Sequence, residues 1–199
     1  VSSFIGHASI GVALYASRSA LRERPAWWAL PVLVFLAMSP DIDYLGLWLL
    51  NIVPRPRITH SLLFCLGVAT LMWAALALRG ERDRRPLSWW LLAAAACSHL
   101  VLDMLVGVHP VPLSWPLPWP CTQGELVLPF GLLPSAGHLR WSNHVLWRNL
   151  FIECGVLWPV LAAGVAWARG VTWARARWWV LCIAPCWLGC LVWSVHLQR

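Results

Sequence analysis

Four stretches of the chain, 60–79, 88–108, 146–168 and 177–197, each run for about 20 residues on almost nothing but apolar side chains. Apolar runs of that length fit the hydrocarbon core of a bilayer, where every backbone N–H and C=O must be bonded internally. A helix meets that demand within one segment. Two shorter runs, 4–18 and 26–38, read the same way. The expectation is an all-α, polytopic integral membrane bundle of about six helices, forming a single domain over residues 1–199. The first two helices are short for a span, so they tilt little, thin the bilayer or pack as a hairpin inside the bundle. The first run lacks a basic leader and is followed by arginines, so it reads as a mature helix and not as a signal peptide.

Composition agrees. Only 12% of the residues are charged and 60% are hydrophobic, against about 25% charged in soluble domains. Seventeen tryptophans suit the amphipathic belts at membrane–water interfaces. The net charge of +7 comes from arginines scattered through short connections. That pattern reads as topology and not as a phosphate-binding surface, which argues against nucleic acid as a partner. Of the seven cysteines, six lie in apolar runs. Cys182, Cys186 and Cys190 share a helical face but have no histidine or carboxylate beside them, so they read as packing residues. Cys121 lies in a loop with no evident partner.

The arginines also orient the chain. Arg18, Arg22 and Arg24 follow the first helix; Arg79, Arg82, Arg84 and Arg85 follow the third; Arg169, Arg175 and Arg177 follow the fifth. Six alternating spans put all three clusters on one side, which the positive-inside rule makes cytoplasmic. The expected location is the bacterial inner membrane, multi-pass. The connection 39–59 and the Pro/Trp-rich segment 109–145 then face outward, toward the periplasm. A connection as long as the second is usually functional, and this one is expected to cap the bundle or lie along the membrane surface.

With that topology, the ionisable residues outside the arginine loops converge. His7 lies near the outer start of the first helix. Asp41 and Asp43, in "SPDIDY", follow the outer end of the second, and His60, in "ITHSLL", opens the third. His99 and Asp103, in "SHLVLD", lie roughly 13 and 7 Å short of the outer end of the fourth, at 1.5 Å per residue. Their i, i+4 spacing puts both on one helix face. Charged side chains inside a membrane are costly and mark functional sites. Three imidazoles with two or three carboxylates match the ligand set of zinc or of a two-metal centre, and an ion would neutralise the aspartates. Taken singly each residue has a plainer reading: a hydrogen-bonded histidine for His7, a turn cap for Asp41 or Asp43, an interhelical pair for His99 and Asp103.

The pieces "GHASIG" (6–11), "SPDIDY" (39–44), "THSLL" (59–63), "SHLVLD" (98–103) and "PLSWP" (112–116) resemble the YdjM-like family of membrane-bound metal-dependent hydrolases. That family is itself distantly similar to zinc-dependent phospholipase C and related single-strand nucleases. The resemblance covers roughly the first 120 residues. It implies His7, Asp41, His60, His99 and Asp103 as metal ligands, zinc as the metal, and Asp43 as a ligand or a partner of one. One departure stands out. Family members often carry a His-Arg pair shortly before the "THS" histidine, where this chain has Arg55, Pro56 and Arg57.

The chemistry expected of such a site is hydrolysis of a phosphoester in a lipid or lipid-linked substrate at the outer face. Asp43 would take the proton of the attacking water, and Arg57, with Arg55, would bind an anionic headgroup or serve as an interfacial anchor. Glu153 would complete the site or pair between helices. His109, Glu125, His138 and His144 are candidate lid residues of the outer segment, and His196 reads as interfacial. The alternative function is a non-catalytic subunit of a larger membrane complex, partnered by other membrane proteins, that keeps the fold and a structural metal. A proton relay is disfavoured because the inner halves of the helices carry almost no ionisable residue.

Overall fold

The computed structural model describes residues 3–18, 27–50, 57–78, 87–106, 111–117, 133–134 and 143–197. Arg22, Arg24, Arg55, Arg79, Arg82, Arg84, Arg85, His109, Cys121, Glu125 and His138 lie outside them, so the expectations placed on those residues stay as sequence readings. The described residues are helical with no strand: α1 (Phe4–Ser17), α2 (Ala29–Met38), α3 (Asp43–Leu50), α4 (Leu62–Leu78), α5 (Trp89–Val106), α6 (His144–Ala168) and α7 (Trp173–Leu197). Short 3-10 turns at Ser39–Ile42 and Ile58–His60 lead into α3 and α4. Six of these helices coincide with the six apolar runs, within a few residues.

Three differences from the sequence reading matter. The eight-residue α3 occupies ground read as a plain outer loop. Its run "DYLGLWLL" is too short to span but long enough for two turns. Second, α6 begins at His144, which therefore opens a helix, and α7 begins at Trp173, so Arg175 and Arg177 lie in its first turns. Third, α5, α6 and α7 are long and apolar enough to cross a membrane, whereas α4, at 17 residues, joins α1 and α2 among the shorter apolar helices. The result is a helical membrane bundle that combines long and short helices.

The core is built on α2, α4 and α5. Leu33 and Leu36 of α2, Cys65 and Ala69 of α4, and Leu92, Ala96 and Leu100 of α5 are buried together. Alanines on α5 let its neighbours approach closely, the usual basis of helix association where lipid supplies no hydrophobic drive. α1 packs on α2, α5 and α6, while α7 packs mainly on α6 and leaves most of its surface exposed. The described part of the outer segment turns back onto the bundle, with Leu113 O accepting from Leu62 N at 3.0 Å and so satisfying an amide at the start of α4.

The α1–α2 contact is the tightest of these. A Cβ added at Gly11 would lie 2.7 Å from Val34 Cα and 2.9 Å from Leu33 O, both backbone atoms that cannot turn aside. Gly11 lies one turn beyond His7 on the same face, so this approach also sets how far His7 reaches inward. Gly11→Ala is expected to destabilise the chain by about 1–3 kcal/mol, as overpacking does. Thermal unfolding in detergent would read it, and an unchanged midpoint would show that the helices separate without cost.

Candidate metal centre

The five expected ligands arrive on four pieces of local structure. His7 sits in the first turns of α1, which Ser3 caps by accepting from Gly6 N at 2.9 Å. Asp41 is fixed by the 3-10 turn Ser39–Ile42, where Pro40 replaces an amide that the helix end does not need. His60 ends the turn Ile58–His60. His99 and Asp103 project from one face of α5. All five are buried, His7 and His99 completely.

Their polar atoms face one another. Asp41 Oδ1 is 3.5 Å from both His60 Nε2 and His99 Nε2. Asp103 Oδ2 is 3.4 Å from His60 Nε2 and 3.6 Å from His99 Nε2. The other Asp103 oxygen is 3.4 Å from His7 Nε2. These separations exceed a normal N–H···O hydrogen bond. Indeed Nε2 of all three histidines and both oxygens of Asp41 are buried without a hydrogen-bond partner, an arrangement that costs about 1–3 kcal/mol for each orphaned group. Four donors bound at about 2.0–2.2 Å around one tetrahedral ion would stand roughly 3.3–3.6 Å apart. The observed spacings fall in that interval. Asp103 presents one oxygen to the His60–His99–Asp41 centre and the other to His7, and the ligand atoms form two overlapping groups, His7–Asp41–His99 and His60–His99–Asp103. The residues fit a divalent metal ion.

The neighbours fix how the rings stand at this centre. His99 Nδ1 lies 2.9 Å from Ala37 O; a carbonyl only accepts, so Nδ1 carries the proton and Nε2 faces inward as an acceptor. His60 Nδ1 is 3.1 Å from Thr59 Oγ1, which likewise orients its ring. The His7 and His99 rings stack at 3.6 Å between centroids. Such contacts to the second ring nitrogen are the usual way a ligating histidine is held.

Beside the centre, Asp43 and Arg57 form a two-pronged pair. Arg57 Nε donates to Asp43 Oδ2 at 2.6 Å and Nη2 to Oδ1 at 3.0 Å, while Nη2 also stands 3.7 Å from Asp41 Oδ1. Asp43 Oδ2 is 3.7 Å from His60 Nδ1. The guanidinium lies 5.0 Å from the Tyr44 ring centroid, a cation–π contact. Burial works against the Arg57 charge, but Asp43 outweighs it and raises the pKa above the ordinary arginine value. Asp43 belongs to neither group of ligand atoms; it holds the arginine at the rim of the centre.

Glu153 is buried on α6 and its carboxylate accepts from Ser3 N at 3.1 and 3.3 Å, so among the alternatives it is an interhelical partner. His144 is exposed at the start of α6 and lies in neither group. His196 Nδ1 turns back to Val192 O at 2.8 Å on α7. The Ala37 carbonyl, the Thr59 hydroxyl and the Tyr44 ring escaped the sequence reading. Thr59 and Tyr44 adjoin "HS" and "DID" in the quoted motifs, whereas no local signal marks a backbone carbonyl.

No curated protein and no solved structure matches the chain. The family described as YdjM inner membrane protein does, over residues 3–197. The match therefore continues well past residue 120, where the recognisable motifs end. With that coverage and three helices fit to cross a bilayer, the chain belongs to the YdjM inner membrane protein family.

Proposed function

We propose that the chain is a membrane-embedded, zinc-dependent hydrolase acting on a phosphoester of a lipid or lipid-linked substrate, with its site open toward the periplasmic side of a multi-pass bundle. The observation that carries this reading is the set of buried histidine nitrogens and Asp41 oxygens without a hydrogen-bond partner, which lie in two overlapping His/Asp groups able to hold a metal ion. The donor set of imidazole nitrogen and carboxylate oxygen suits zinc. A bound zinc ion would lower the pKa of water toward neutrality and polarise a phosphoryl oxygen.

The chain's own residues supply the rest. Arg57, part-exposed at the rim, is placed to bind an anionic phosphoryl oxygen with its planar fork. Asp43 keeps that fork aimed. As the guanidinium turns toward a phosphate, Asp43 is released to accept the proton of the attacking water. Membrane lipid is the partner this chemistry implies, because the substrate would enter from the bilayer beside the short helices.

The test is metal analysis of the purified full-length chain, followed by turnover of phospholipid vesicles by the zinc-loaded protein. About one or two zinc ions per chain with release of a phosphorylated headgroup would support the reading. Absence of stoichiometric metal would sink it. Tightly held zinc without turnover of any phosphoester offered would favour a non-catalytic subunit.

A further inference from the structure

His7 differs from the other two site histidines. His99 leans on Ala37 O and His60 on Thr59 Oγ1, but neither ring nitrogen of His7 has a hydrogen-bond partner among the described residues. What places this ring must therefore act through its backbone and packing. The backbone leads to α6. His7 N donates to Ser3 O at 3.1 Å, closing the first turn of α1 on Ser3. Ser3 Oγ caps the same turn at Gly6 N. Ser3 N, in turn, donates to both oxygens of Glu153, 150 residues away in sequence. A carboxylate at the start of a helix also meets the favourable end of its dipole.

We infer that Glu153 is a positioning residue for the metal centre: by gripping Ser3 N it fixes the first turn of α1, and so holds the His7 imidazole stacked on His99 and aimed at Asp103. The inference rests on the metal-centre reading for its consequence, but its geometric content is independent of any ion. α6 thereby joins the site without supplying a ligand. Glu153 needs no contact with metal or substrate to do this.

The experiment uses the full chain in detergent micelles with isotope-labelled histidine, and the His7 ring signals are identified by their loss in His7→Ala. In the wild type, stacking on His99 at 3.6 Å displaces the His7 ring signals by ring current. Glu153→Ala is expected to bring them toward the position of an unstacked histidine, while Glu153→Gln, which keeps an acceptor oxygen, leaves them displaced. Ser3→Pro and Ser3→Ala form a second pair in case Glu153→Ala does not fold. Both lose the cap hydroxyl, but only proline loses the N–H, and Ser3 has φ −78°, which proline adopts. Ser3→Pro should shift the His7 signals and Ser3→Ala should not. Unmoved His7 signals in Glu153→Ala or in Ser3→Pro overturn the inference, whatever happens to stability. In a second arm, zinc affinity by chelator competition should fall roughly 10–100-fold in Glu153→Ala, the usual effect of losing a residue that orients a ligand, and recover in Glu153→Gln. A wild type that binds no zinc defeats the metal reading alone, because the ring signals still decide the positioning role.

Discussion

A His99→Ala, Asp103→Ala double variant is expected to lose metal altogether. Both residues project from one face of α5; His99 belongs to both groups of ligand atoms, and the Asp103 carboxylate reaches His7 with one oxygen and His60 with the other. Their removal strips one imidazole and the carboxylate that links His7 to the rest. The affinity loss should exceed the roughly 10–100-fold that orienting residues alone contribute. The cleanest readout is stability. With zinc at 100 times its dissociation constant, the wild type should gain about 2.7 kcal/mol toward unfolding, and the variant should gain nothing. The variant still folds, because Leu92, Ala96 and Leu100 keep α5 in the core. A zinc-dependent rise in melting temperature in the variant equal to that of the wild type would show that the ion binds elsewhere.

The second large effect concerns Arg57 and Asp43. The Asp43 side chain is 6% exposed and that of Arg57 23%, so removal of the arginine strands a buried carboxylate. Breaking a buried pair from one side costs roughly 3–5 kcal/mol, and the part-exposed arginine places Arg57→Ala near the lower end. Arg57→Lys should recover only part of the loss, because an ammonium cannot span both oxygens. The double variant Arg57→Ala, Asp43→Ala should be more stable than Arg57→Ala alone, since no unpaired charge remains. A double-mutant cycle by denaturation in detergent checks this, and simple additivity of the two losses would show that the pair is not coupled.

The helices were legible because the signal behind them is local. Apolar length announces a helix wherever the bilayer is the solvent, and six runs became six helices. α3 was missed for the same reason: eight residues are too few for that argument. The ligands were legible as polar exceptions in apolar surroundings, and His99 and Asp103 also carried the i, i+4 spacing. What the sequence hid was pairing between distant segments. Nothing local ties Arg57 to Asp43 across 14 residues, or Glu153 to Ser3 across 150. Both depend on how helices pack, and Arg55, so close in sequence to Arg57, lies outside the described residues.

The end of α2 has a consequence of its own. Helix termini leave carbonyls without amide partners, which is a liability where water is scarce. Imidazole has the opposite defect, since its proton can rest on either nitrogen, and a proton on Nε2 would leave no lone pair facing the ion. Where α2 gives way to the tighter turn Ser39–Ile42, Ala37 O meets His99 Nδ1. One contact removes both defects. A helix terminus thus chooses the tautomer of a ligand carried by a different helix. Lengthening α2 by one regular turn would bond that carbonyl internally and leave the histidine undecided.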